Sequence, residues 1–364
     1  MSNLNMKWLG HVSGVFVAAM LLLTASLPAA AETTLTGAGA TFPYPLYSKW
    51  FSVYEKATGV RINYQSIGSG GGIQQLKART VDFGASDAPL SDAEMRQMPS
   101  AVVHIPTVAG AVAIVYNVPQ VGKGLRLSAD AITGIYLGQI TRWDDPKITA
   151  LNPKLRLANL PVAVVHRSDG SGTSYIFTNY LAAVSRTWAT RVGAGKSVDW
   201  PVGIGGKGNE GVAGLVKQTP GGIGYVELAY AMQNKLAYAS IRNRDGAFVA
   251  PSIASTVAAA SGARRAMARD VRVSIVNAPG KGAYPIAGFT YLLVYQKLRN
   301  PAAGGALVKF LTWAIHDGQK YAEPLLYAPL PEALVNVNES KIKAITHDAA
   351  LPRSGAAHRA AVGG

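Results

Sequence analysis

The residues best equipped for chemistry in this 364-residue chain lie in HRSDGSGTSYIFTNYL, positions 166–181. Arg167 offers a planar fork of N–H donors, suited to bidentate, charge-assisted bonds with a tetrahedral oxyanion. Asp169 follows two residues later. It either orients that guanidinium or serves as an ordinary turn or N-cap acid. Ser171, Gly172 and Thr173 add hydroxyls and backbone N–H groups and have little to bury. Ser171 could be imagined as a nucleophile, but no sequence feature supplies its base.

A second candidate is Asp87, which closes VDFGAS and precedes Ala88-Pro89. A carboxylate beside a bound anion makes sense if the anion carries a proton. Phosphate has a P–OH to donate, whereas fully ionised sulfate has none and would meet an unpaired acceptor and repulsion. The alternative is a turn aspartate before an X-Pro unit. On the residues alone the turn aspartate is the favoured reading.

Three segments place such residues by one plan: a short strand, a Gly/Ser/Thr loop, then an amphipathic helix. In the first, Thr33–Thr36 leads through GAGATFP to a helix over 44–56 whose apolar side is Tyr47, Trp50, Phe51 and Tyr54. In the second, the alternating RINYQSI (61–67) leads through GSGGG to a helix over 73–79. In the third, PVAVV (161–165) leads through DGSGT to a helix buried along Tyr175, Ile176, Phe177, Tyr180, Leu181 and Val184. The first turn of a helix carries N–H groups with no intrahelical partner, at the positive end of the helix dipole. Small residues let an anion approach them. Gly-rich loops also serve as plain tight turns. Further strands are expected at 81–86, 111–117, 221–228 and 289–296, and helices at 130–136, 210–218 and 301–316. Alternation of strand and helix argues for α/β layers.

Composition narrows the partners. Lys7 precedes an apolar stretch from Val15 to Leu27, and Ala29-Ala30-Ala31 forms a small-x-small cleavage pattern, so residues 1–31 are expected to be a removed signal peptide. The protein is then exported and soluble. With no cysteine it can carry neither a disulfide nor a lipid on Cys, yet it is long enough to build its core without them. The net charge of +15 favours anionic partners. The basic residues are scattered and not interleaved with aromatics, which argues against nucleic acid.

Motifs for other chemistry fail on context. GIGGKG (203–208) matches GxGxxG in form but follows Asp199-Trp200-Pro201 instead of a buried strand. GAGKS (193–197) lacks the first glycine of a phosphate-binding P-loop, since Thr190 stands there. There is no HExxH, no GxSxG and no cysteine-based metal site. The 6 histidines are dispersed.

Several ordered blocks match one family. LTGAGATFPYPLYSKW (35–50), NYQSIGSGGGIQQL (63–76), TVDFGASDAPLSD (80–92), IYLGQITRWDD (135–145), RSDGSGTSYIFTNYL (167–181), WPVGIGGKGNEGVAG (200–214) and PGGIGYVELAYA (220–231) carry the match. Through them the chain resembles the periplasmic phosphate-binding proteins of bacterial ABC phosphate-uptake systems, from about Leu35 to Leu334. The resemblance implies an α/β, two-lobed, type II periplasmic-binding-protein-like fold, each lobe a mixed sheet flanked by helices, joined by a two-strand hinge. Lobe one would span 32–106 plus 288–345 and lobe two 107–287, with 346–364 a disordered tail. Phosphate contacts would fall on Ala40, Thr41 and Phe42, on Ser69, on Asp87, and on Arg167, Ser171, Gly172 and Thr173, with Asp169 supporting the arginine. Gly70 stands where relatives also show serine, and His166 is a further variation. The implied partners are inorganic phosphate and the membrane permease. No cofactor, metal, nucleic acid or enzymatic activity is implied, and a monomer is expected. Receptors for sulfate or molybdate, and a secreted phosphoester hydrolase, are the competing readings.

Overall fold

The strand–loop–helix plan holds at all three places; the first helix begins at Tyr44 as expected, and the second and third begin earlier, inside their loops. The computed structural model describes residues 33–347. The expected signal peptide and the tail from residue 348 lie outside the described residues. The strands are β1 (Thr34–Gly39), β2 (Arg61–Ser66), β3 (Phe83–Ser86), β4 (Val102–Asn117), β5 (Arg126–Leu127) and β6 (Ala163–Arg167). They continue as β7 (Ile204–Gly206), β8 (Gly222–Glu227), β9 (Ala237–Tyr238), β10 (Ser240–Arg242), β11 (Phe248–Val249) and β12 (Ala287–Tyr295).

The main sheet is mixed and runs β2-β1-β3-β12-β4-β8-β6-β7, with β9 also on β4. β5, β10 and β11 form a separate small sheet. β4 organises the main sheet. Its residues Val102–Ala111 pair antiparallel with β12, and Val112–Asn117 pair antiparallel with β8. The sequence predicts only 111–117 as strand here; the element begins nine residues earlier, at Val102. Its length follows from burial on both faces, which removes the polar alternation that marks a half-exposed strand.

Helices cover the sheet through aromatic faces. Tyr47, Trp50, Phe51 and Tyr54 of the Tyr44–Thr58 helix are all buried, as their spacing predicts. Phe51 and Tyr54 meet Phe310 at 5.7 and 5.2 Å between ring centroids. Around β8, Phe177 stacks on Tyr225 at 4.4 Å and meets Tyr136 edge-on at 4.8 Å. Offset and edge-on pairs of this kind add attraction beyond buried area.

Two boundaries differ from expectation for a stated physical reason. The helix expected from Ile73 starts at Ser69, so the glycine run lies inside its first turns. A Cβ on Gly72 would run into the backbone of Ala38 and Gly39, so the low helix propensity of glycine is overridden by close approach to β1. The tail expected to be disordered from Thr346 is ordered at its start. Thr346–His347 pair in parallel with Lys297–Leu298, and Thr346 N–H donates to Gln296 O at 2.8 Å.

Candidate functional site

Arg167 is the last residue of β6 and is 3% exposed. Its Nε donates to Asp169 Oδ1 at 2.7 Å and its Nη2 donates to Asp169 Oδ2, a bidentate pair. Its Nη1 donates to Thr173 Oγ1 at 3.4 Å. Asp169 Oδ1 also accepts from Gly208 N–H at 3.0 Å. Burial pushes the Asp169 carboxyl up, but the arginine pair and the Gly208 N–H outweigh it and hold it below the usual aspartate value. Asp169 is thus the acid that orients the guanidinium.

Ser171 is the N-cap of the Gly172–Val184 helix, with Oγ accepting from Ser174 N–H at 3.0 Å. Gly172 N–H donates to Ser69 Oγ at 3.0 Å, which joins the second loop to the third. Asp87 N–H donates to the same oxygen at 3.3 Å. Gly172 must be glycine here: a Cβ would meet Ser69 Oγ at 2.6 Å and crowd the Asp87 carboxylate. A G172A variant should therefore bind its ligand about tenfold to a hundredfold more weakly, the cost of overpacking, and titration calorimetry reads that shift.

Asp87 is 3% exposed, and its Oδ1 has no hydrogen-bond partner among the described residues. Burial pushes its carboxyl up to about 7, against the opposing influence of Thr290 and the Arg167 charge.

The first loop closes the cluster. Thr41 Oγ1 accepts from Asn209 N–H at 3.2 Å and from Asn209 Nδ2 at 2.7 Å. Asn209 Nδ2 also donates to Thr173 Oγ1 at 3.2 Å. Ala40 has both backbone groups committed, its N–H to Ala85 O at 2.8 Å and its carbonyl to Tyr64 Oη at 2.8 Å. Phe42 is fully buried, and its carbonyl accepts from Tyr327 Oη at 2.7 Å. That tyrosine also reaches Glu227 Oε2 at 3.0 Å. Burial raises the Glu227 carboxyl well above its ordinary value. Thr41 O accepts from Tyr230 Oη at 2.6 Å.

Thr41, Ser69, Asp87, Arg167, Asp169, Gly172 and Thr173 thus form one cluster, buried except for the half-buried Asp169, and Ala40, Phe42 and Ser171 adjoin it along the chain. Four helices, Tyr44–Thr58, Ser69–Lys77, Gly172–Val184 and Gly208–Gln218, begin at or beside it. Their positive ends face the same region and favour negative charge there. Asn209 and the Gly208–Gln218 helix are absent from the expected site. The signal was GIGGKG: dismissed as a dinucleotide loop, it is a fourth strand–loop–helix unit, with edge strand β7 inside the motif. His166 stacks on Trp200 at 4.9 Å between centroids and is a packing residue. Among the described residues no group of acids, histidines or cysteines is arranged to hold a metal ion.

The arrangement sets many donors around the Asp87 carboxylate, with Glu227 Oε1 a second buried oxygen without a partner among the described residues, and it suits a small oxyanion carrying a proton. The PBP superfamily domain matches residues 24–317. The chain is 47% identical to the phosphate-binding protein PstS of Haemophilus influenzae over 324 residues, 89% of this chain and 96% of that one. It is 38% identical to the phosphate-binding protein PstS of Methanocaldococcus jannaschii over 331 residues, 84% of this chain and 85% of that one. Its fold is similar to a high-affinity periplasmic phosphate-binding protein (PfluDING) bound with phosphate. There the TM-score is 0.67 and the identity 22%, covering 85% of this chain and 93% of the other. An ABC-type phosphate transport receptor from Vibrio cholerae shares the fold at TM-score 0.51 and 18% identity, covering 82% of this chain and all of that one. By its sequence matches, the chain belongs to the PstS phosphate-binding proteins of the PBP superfamily.

Proposed function

We propose that this protein binds inorganic phosphate with high affinity and delivers it to the membrane permease of an ABC phosphate importer. It acts as a binding protein, as the names of its PstS relatives say of them. The observation that carries the reading is Asp87 Oδ1, a buried carboxylate oxygen with no well-formed hydrogen bond among the described residues, although the Thr290 hydroxyl and the Arg167 charge act on the same carboxyl. A buried polar atom without a partner is costly, and a ligand that brings one proton relieves that cost. The contacts assigned to phosphate are Thr41, Phe42, Ser69, Asp87, Arg167, Ser171, Gly172 and Thr173. Asp169 orients the arginine, and Ala40 fixes the first loop through its committed backbone groups.

The cluster sits between two lobes in this reading, each a mixed sheet with helices. The switch of β4 from β12 to β8 at Ala111–Val112 supports one crossing, and the bond from Val112 N–H to Ile286 O, at 2.8 Å, supports the second beside it. Bonds from one proposed lobe to the other include Gly172 to Ser69, Asn209 to Thr41 and Lys196 Nζ to Glu94 Oε1 at 2.6 Å. Several such contacts, together with bonds to the bound anion, stabilise a closed form that the permease recognises. A periplasmic location accords with the expected leader. No helix among the described residues is long and apolar enough to cross a membrane.

The test is calorimetry on protein stripped of bound ions by unfolding and refolding, with the released ions assayed. One phosphate per chain with sub-micromolar affinity, and no displacement by sulfate at pH 8.5, is the expected result. Equal competition by sulfate at that pH would defeat the reading, and turnover of a phosphate ester lost on S171A would replace it with hydrolysis.

A further inference from the structure

We propose that Asn209 sets the donor direction of two threonine hydroxyls, forcing Thr41 and Thr173 to turn their protons toward the ligand; this rests on the phosphate reading above. A hydroxyl has one proton and two lone pairs. Both lone pairs of Thr41 Oγ1 are occupied, by Asn209 N–H at 3.2 Å and Asn209 Nδ2 at 2.7 Å. Both lone pairs of Thr173 Oγ1 are occupied as well, by Asn209 Nδ2 at 3.2 Å and Arg167 Nη1 at 3.4 Å. The only polar capacity left on either oxygen is its proton.

The amide itself is held in one orientation. Asn209 Oδ1 accepts from Glu227 N–H at 2.9 Å. A flipped amide would set its NH2 group against that N–H and its oxygen against the threonines. Asn209 is fully buried, which keeps both ends of its amide away from bulk solvent. Ser69 reaches the same condition through the backbone, since Oγ accepts from Gly172 N–H at 3.0 Å and Asp87 N–H at 3.3 Å.

The consequence is a division of labour over protons. Thr41, Thr173 and Ser69 can only donate, so none of them can accept a proton from the ligand. The one ligand proton then has Asp87 as its acceptor. Asn209 is accordingly a positioning residue that acts through the threonines and helps to select the protonation state of the anion.

A mutant cycle tests this. Calorimetric titration with inorganic phosphate is run on wild type, N209A, T41V/T173V and the triple variant, with the ligand-free Tm of each. N209A is expected to weaken binding about 30-fold when the threonines are present, and less than about threefold when both are valine. The same factor in both backgrounds would mean that Asn209 serves only the fold, and would overturn the proposal. The isosteric N209D guards against misfolding. Its carboxylate draws both threonine protons to itself, so its loss with threonines present should exceed its loss with valines by at least about tenfold. Equal losses overturn the proposal here too. A wild-type protein that ignores phosphate overturns the phosphate reading, and this inference with it. A wild type that binds, with additive variants, overturns this inference alone.

Discussion

An R167M variant is expected to bind phosphate about a thousandfold more weakly than wild type. Arg167 is buried at the end of β6, with Asp169 holding its fork from one side. The guanidinium is always charged, and its planar donors match two oxygens of a tetrahedral anion. Bonds to charged groups contribute roughly 1.5–3 kcal/mol each, so losing two of them accounts for the expected factor. Methionine fills similar volume without donors. It also leaves Asp169 facing the site with only backbone N–H groups, that of Gly208 among them, to hold its charge, so repulsion adds to the loss. R167K keeps the charge but not the fork and should fall between the two. Calorimetry gives the affinities, and the ligand-free Tm shows whether the fold survives. R167M binding within about tenfold of wild type would remove the arginine from the role assigned to it.

Much of this site was legible because its chemistry is local. Arg167 to Thr173 form one loop, and a loop that opens a helix with small residues exposes its N–H groups whatever the rest of the chain does. The amphipathic faces were legible for a similar reason: Tyr47, Trp50, Phe51 and Tyr54 recur at helical spacing and are all buried. Other features depend on distant partners and leave no local trace. The start of the second helix at Ser69 is dictated by close packing of Gly72 on β1. The extension of β4 back to Val102 is dictated by β12, far away in sequence. Asn209 belongs to the same class. Its value lies in reaching Thr41 and Thr173 from a separate segment, and nothing in GKGNEG announces which hydroxyls it meets. Local grounds favour a turn residue at Asp87 over a proton acceptor. Its burial beside Ser69 and Gly172, with Oδ1 unpartnered, is a tertiary fact that favours the acceptor.

That carboxylate should also make anion selectivity depend on pH. Burial raises Asp87 to about 7, so it is ionised at pH 8.5 and mostly neutral at pH 5.5. In the ionised form it accepts a proton from phosphate and repels sulfate. In the neutral form it carries an O–H that can donate to a sulfate oxygen. Sulfate affinity is therefore expected to fall about tenfold for each pH unit above about 7 and to level off below it, because only the protonated fraction is competent. Phosphate brings its own proton and should remain tight at pH 8.5. D87N has an uncharged amide at all pH values, so its sulfate affinity should be higher than wild type at pH 8.5 and nearly flat with pH. The same shift has a sign for stability. A carboxyl whose folded value is raised contributes stability that is fully present below its unfolded value near 3.8 and lost as pH rises through about 7. Ligand-free D87N should therefore melt above wild type at pH 8.5, by a margin that narrows as pH falls through 7 toward 5. Competition calorimetry with both anions at pH 5.5, 7 and 8.5, and melting curves at the same pH values, read the two effects. Sulfate binding that is equally weak across that range in wild type, and unchanged by D87N, would mean that rejection comes from the size or charge of the ion and not from the proton at Asp87.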